Sequence, residues 1–219
     1  MPNIFVKIPE PTLRRLPWYL AYAKLARQEG ETHLSSTQIA QKIGIDASQV
    51  AKDFSFITLS GKTRVGYEID ELITTLDQFL GFANSHKAFL FGAGSLGSSL
   101  LHDDGLKQYG LEVMAAFDIK VELVGTQINR IPIQHLDRFV EIQTQTGVQI
   151  GILTVPVNRA QEVADIMIAG GIKAIWNFTP FRIRVPEDIV VQNTSLYAHL
   201  AVMFNRLREL LEDEKSKNV

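Results

Sequence analysis

The chain has 219 residues, a net charge of −2 and no cysteine. Without cysteine there are no disulfides, thiolate metal sites or cysteine nucleophiles, and the length suffices for one large domain or two small ones. The opening MPNIFVKIPEPTLRR lacks the apolar core of a signal peptide, and no apolar run approaches a membrane span of about 18 residues, so a soluble cytoplasmic protein is expected.

The near-neutral total conceals an asymmetry. Residues 1–67 carry nine Lys and Arg against five Asp and Glu, whereas residues 68–219 carry thirteen against nineteen. A basic front on an acidic body points to a polyanionic partner for the front alone.

In chain order, residues 12–29 read as a helix. Leu13, Leu16, Leu20 and Ala23 fall on one face and Gly30 ends it. SSTQIAQKIG follows, with Ser35 and Gln38 spaced as a capping box, Ile39 and Ile43 facing inward and Gly44 as the stop. IDASQVAKDFSF then predicts a second short helix, capped by Asp46 and packed through Val50 and Phe54. Ser48, Lys52 and Ser55 share its opposite face.

Two short helices joined by a tight turn form a helix-turn-helix pattern, and a small, basic outer face suits a major groove. In TLSGKTRVGYEI, Gly61 and Gly66 bracket Lys62 and Arg64 in an expected hairpin. A basic hairpin behind such a helix is a wing that touches phosphates or a minor groove. The helix DELITTLDQFLG follows, with Leu72, Leu76, Phe79 and Leu80 on its apolar side. A small helical bundle without DNA binding is the competing reading.

HKAFLF is a buried strand, GAGSLG a glycine loop and SSLLHDDGL a helix, the strand–turn–helix context that a dinucleotide fingerprint requires. Gly92 permits the tight turn, Gly94 the approach of a pyrophosphate and Gly97 close helix–strand packing. Ala93, Ser95 and Leu96 complete the loop, whose helix N-terminus offers N–H groups to phosphate. LEVMAAFD ends at Asp118, twenty-one residues past Gly97, where an acid accepts ribose hydroxyls and favours NAD(H) over NADP(H). A strand-end turn residue, or a methyltransferase's acid, remains an alternative for Asp118.

Further strands are read in VQIGILTVP, IKAIWNF and DIVVQNTS, with NRAQEVADIMIAGG as a helix between the first two. Their alternation predicts a parallel sheet, with Thr154, Val155 and Pro156 lining the crevice at the strand ends. The last segment reads as a long amphipathic helix with the stripe Leu196, Leu200, Met203, Phe204, Leu207, Leu210 and Leu211, which needs a partner surface on this chain or on a second subunit. The five histidines stand in no constellation with an Arg and a carboxylate, and the order of elements leaves no room for a substrate domain, so no catalytic residue is assigned. A small NAD-dependent oxidoreductase, or a dimeric interaction module that uses NAD(H) structurally, is the alternative.

The order of parts resembles the redox-sensing transcriptional repressors of the Rex family. The resemblance is carried by IPEPTLRRLPWYL (8–20), SSTQIAQKIGIDASQVAKDFSF (35–56), GKTRVGY (61–67), GAGSLG (92–97), AAFD (115–118), GILTVP (151–156) and NFTPFRIRVPEDIVVQN (177–193). It implies an α/β chain: a winged helix-turn-helix over 1–81, a Rossmann-type NAD(H)-binding domain over 82–195 and a domain-swapped dimerisation helix over 196–219. It further implies a homodimer on palindromic double-stranded operator DNA, with NADH and NAD+ as ligands, neither a metal nor a membrane as partner, and release by NADH as the subunits close and swing their DNA-binding heads. Asn177, Thr179 and Pro180 join the ligand set on the resemblance alone. Three positions where the family commonly carries an Arg, a Tyr and an Asp that exchange polar contacts between its two states hold Ala21, Asp103 and Ser195 here.

Overall fold

A computed structural model describes residues 8–59, 61–62 and 65–217. The chain forms two compact units, Met1–Asn84 and Ser85–Val219.

In the first unit, α1 (Glu10–Gln28) packs against α4 (Ile69–Phe79), and α2 (Ser36–Ile43) packs against α3 (Ala47–Ser55). The Ser35–Gln38 capping box is formed, and Gly44 ends α2 in the left-handed region at φ 76. Such a conformation suits glycine and turns the chain sharply into α3. Asp46 precedes α3 as expected, but its side chain makes no capping hydrogen bond.

Leu16, Leu20, Ala23, Ile39, Val50, Phe54, Leu72 and Leu76 share one core. Leu13 and Phe79, expected there, are 40% and 37% exposed. Each lies at the margin of its helix's apolar stripe, where Tyr19 and Ile73 take the inward positions.

The strands β1 (His33–Leu34) and β2 (Tyr67–Glu68) pair antiparallel, and Lys62 bridges antiparallel to Gly66 just before β2. Gly66 has φ +96, and a Cβ there would stand 2.5 Å from the Leu34 carbonyl oxygen. Only glycine lets this hairpin lie against β1. Arg64 lies outside the described residues.

The second unit is a seven-stranded sheet with the strand order β5–β6–β4–β3–β7–β8–β9. Its strands are β3 (His86–Phe91), β4 (Leu111–Asp118), β5 (Gln127–Ile128), β6 (Ile131–His135), β7 (Ile150–Leu153), β8 (Ala174–Asn177) and β9 (Val190–Asn193). All neighbours are parallel except the β5–β6 hairpin at the edge. Without β5 this is the 3-2-1-4-5-6 order of a doubly wound dinucleotide-binding sheet, with β3 as its first strand.

Helices α5 (Ser95–His102), α6 (Asp104–Gln108), α7 (Phe139–Thr146) and α8 (Ala160–Ala169) complete the layers. Strand β3 is buried on both faces, which explains why HKAFLF does not alternate. Phe89 and Phe91 join Phe117 and Phe139 in one cluster, while Ala88 and Leu90 meet Ala116, Leu101 and Ile152 on the other side.

Two features depart from the sequence reading. SSLLHDDGL is two helices, because Asp103 leaves helical geometry at ψ 104 and its carboxylate accepts the Gly105 N–H to begin α6. The stretch 119–147, unassigned from sequence, contributes β5, β6 and α7. The terminal helix α9 (Leu196–Lys217) exposes every described side chain, its apolar stripe included.

Candidate functional site

Helix α3 divides cleanly into two faces. Val50, Asp53 and Phe54 are buried, whereas Ser48, Lys52 and Ser55 are exposed together. The Ser55 hydroxyl donates back to the Lys52 carbonyl at 2.7 Å. Lys62 is also exposed, at the base of the hairpin. The described residues predicted to face DNA therefore all lie at the surface, three of them on one helix.

Sequence reasoning missed the buried charge behind that face. The Asp53 carboxylate accepts a two-pronged contact from Arg15, Nε at 2.6 Å and Nη2 at 2.7 Å. It also accepts the Tyr19 hydroxyl at 2.6 Å, the Thr12 hydroxyl at 2.9 Å and the Gln49 amide at 2.9 Å. Burial alone would push this carboxyl up; the donors from Arg15, Tyr19, Thr12 and Gln49 outweigh it and hold the group at about 2, below its ordinary 3.8. The same contacts raise the Arg15 guanidinium, while burial and then Asp53 raise the Tyr19 hydroxyl.

A depressed carboxyl adds stability above its unfolded value, and that stability is lost as pH falls from 3.8 toward 2. Denaturant titrations should therefore show Asp53→Asn less stable than the parent by about 3 kcal/mol at neutral pH, with the gap closing across that acid window.

In the second unit the glycine loop lies at the C-terminal end of β3, where the strand order reverses toward β7. Gly92 has φ +98, and a Cβ there would crowd Val155 Cγ1 at 2.9 Å and the Thr154 carbonyl carbon at 3.0 Å. A Cβ on Gly97 would sit directly against the Gly92 carbonyl oxygen. At Gly94 a Cβ would meet nothing within 4 Å. The first and third glycines thus let the protein close on itself, and the second leaves open space before the N-terminus of α5, where free N–H groups favour phosphate.

Thr154 ties the loop to β7: its hydroxyl contacts the Phe91 and Gly92 carbonyls at 3.0 and 2.8 Å. Asp118 does the same from β4. One oxygen accepts the Ala93 N–H at 2.7 Å and the other accepts Ile119 and Lys120 N–H groups at 2.8 and 2.9 Å. A carboxylate has about four acceptor positions, so about one remains open.

A cavity of about 390 Å³ opens at these strand ends. Gly92, Gly94, Ser95, Asp118, Thr154, Val155 and Pro156, all assigned to the ligand site from sequence, line it. Ala93, Leu96 and Gly97 lie outside the lining, Ala93 contributing through its bond to Asp118. Asn177 and Thr179 also lie outside it. Both are buried, and Asn177 spends all its polar positions on Phe181, Asn193 and Thr179. These bonds shape the turn after β8, on which Pro180 is exposed.

The sequence reading also missed Leu136 and Arg159, which line the cavity along with Lys120. Leu136 comes from the unassigned stretch 119–147. Arg159 directly precedes α8 and pairs with Glu162 at 3.0 Å; the dipeptide Asn158-Arg159 carries no signal of a crevice until β7 is placed. His102, the last residue of α5, is exposed and hydrogen-bonds to the Ser98 carbonyl of the same helix.

Two family profiles match, one described as a putative DNA-binding protein N-terminus over residues 7–55 and one as a CoA binding domain over residues 83–181. A redox-sensing transcriptional repressor Rex of Bacteroides fragilis is 67% identical over 92% of this chain and 91% of its own. That of Porphyromonas gingivalis is 57% identical over 93% and 94%. Among solved structures, RSP in complex with NAD+ and operator DNA is similar with a TM-score of 0.88 and 30% identity over 96% of this chain and 97% of that one. RSP bound to NADH gives 0.85 at 29% identity, over 95% and 98%. With similarity of this extent across both units, the chain belongs to the Rex family of redox-sensing transcriptional repressors.

Proposed function

We propose that this chain is a DNA-binding repressor that reads the NADH/NAD+ balance. The α3 face of Ser48, Lys52 and Ser55 enters the major groove, and Lys62 and Arg64 of the wing contact the backbone. The cavity at the glycine loop takes NADH or NAD+, with pyrophosphate over Gly94 and the α5 N-terminus and ribose at Asp118. NADH binding weakens the hold on operator DNA. Two copies act together through α9, whose exposed apolar stripe is suited to a partner chain.

The observation that carries this reading is the pairing, in one chain, of an exposed recognition face with a glycine-loop cavity whose charged lining is Asp118, Lys120 and Arg159. That lining holds cations for phosphate and a carboxylate for hydroxyls, and lacks a histidine to exchange protons with a substrate. It supports ligand sensing over turnover.

The test is a fluorescence anisotropy titration against a labelled palindromic operator, without nucleotide, with NADH and with NAD+, at fixed salt. Tight binding that NADH weakens supports the proposal; no operator binding overturns it. In the same assay Lys52→Ala should lose about tenfold in operator affinity while its NADH affinity stays at the parent value. Operator binding equal to the parent's would show that the recognition face lies elsewhere.

A further inference from the structure

The hub at Asp53 is oversized for its setting. Five donor groups converge on one carboxylate whose side chain is fully buried. Thr12, Arg15 and Tyr19 come from a single face of α1, at spacings of three and four, so their side chains line up along about two helical turns. Gln49 belongs to α3 itself. No buried side-chain nitrogen or oxygen is left unpaired among the described residues. A buried ion pair is a weak source of stability, because well-packed apolar side chains of similar volume do as well or better. Its directional bonds supply what apolar contacts cannot.

The other inward side chains of α3 are Val50 and Phe54, with the partly buried Ala47 beside them. Apolar packing resists separation more than rotation. A roll of α3 by about 20° would move a side-chain tip about 6 Å from its axis by about 2 Å, more than a hydrogen bond tolerates. Lys52 is the immediate neighbour of Asp53, and Ser48, Lys52 and Ser55 form the face that such a roll would misdirect.

We infer that Asp53, held by Thr12, Arg15 and Tyr19, is a positioning group that fixes the rotation of α3 on α1 and thereby sets discrimination between operator and unrelated DNA. This inference rests on the DNA-binding reading above. It separates two properties of the face. The cations of the unit attract any duplex through phosphate, whatever the roll of α3. Base contacts require the roll to be right.

The experiment uses the full chain and compares affinity for the operator with affinity for a scrambled duplex of equal length. The Thr12→Val/Tyr19→Phe double variant removes two donors and keeps the Arg15–Asp53 pair, and Arg15→Lys keeps the charge but loses the fork. Each is expected to lower the operator-to-scrambled ratio at least about fivefold, the lower end of the effect of one spoiled base contact. Affinity for the scrambled duplex and the salt slope should stay within about twofold of the parent, since no phosphate contact is removed. Circular dichroism and the unfolding midpoint check that the variants are folded at the assay temperature.

An unchanged ratio in folded variants overturns the inference, as does an equal fall in both affinities. Variants that all fail to fold would also overturn it, because the hub would then serve stability alone. Failure of the parent protein to bind operator is a separate outcome, which refutes the DNA-binding reading itself.

Discussion

Gly94→Val is expected to raise the dissociation constant for NADH more than about 100-fold while both units stay folded, because the pyrophosphate site at a helix N-terminus needs an open approach. Gly94 has φ −67, which valine adopts without strain. Its Cβ would meet no protein atom within 4 Å, so the fold has no reason to object. The branched side chain would instead occupy the space in front of the α5 N-terminus. Calorimetric titration with NADH measures the loss, and unaltered circular dichroism with retained operator binding confirms that the chain is intact.

Gly97→Ala is the contrasting control. Its single methyl would be driven into the Gly92 carbonyl oxygen, so it should lower the unfolding midpoint and NADH binding together. If Gly94→Val bound NADH like the parent, the pyrophosphate would have to lie elsewhere than over this loop.

That contrast also marks what a sequence can and cannot disclose. The tight turn at Gly92 and the close packing at Gly97 were legible because each follows from a fixed offset in a strand–turn–helix unit. The capping box at Ser35 and Gln38 was legible for the same reason: it is local. Asp53 was not. Its importance depends on Arg15, 38 residues away, and on Tyr19, 34 residues away, and nothing in the spacing of KDFS separates a buried aspartate from a surface one.

Arg159 was hidden similarly, since it reaches the cavity only through the β7-to-α8 connection. The β5–β6 hairpin was missed because its strands are short and bracket Asn129 and Arg130, both in the left-handed region at φ 49 and 66. Arginine is not a residue that announces such a turn. The saturation of Asn177 by Phe181, Asn193 and Thr179 was hidden as well, because it is visible only in three dimensions.

NADH is expected to weaken operator binding in this chain by no more than about fivefold, the lower end of the 5- to 150-fold range that a coupling of about 1–3 kcal/mol spans. The reason lies in the three positions where the Rex resemblance leads one to expect exchanging polar contacts. Ala21 is exposed on α1 and has no polar group to offer. Asp103 spends one carboxylate oxygen on the Gly105 N–H, where it starts α6. The Ser195 hydroxyl accepts the Ala198 N–H at the start of α9. The last two side chains cap helices in this structure, and a cap is worth about 1 kcal/mol that any switching contact would first have to overcome. Each absent charged contact removes something on the order of 1 kcal/mol from the difference between two states, so three together consume most of a typical coupling. Operator affinity measured with and without saturating NADH, at one salt concentration, gives the factor directly. Linkage supplies an independent check, because saturating operator must weaken NADH binding by that same factor. A 100-fold release by NADH in both directions would refute the expectation and locate the coupling in contacts other than Ala21, Asp103 and Ser195.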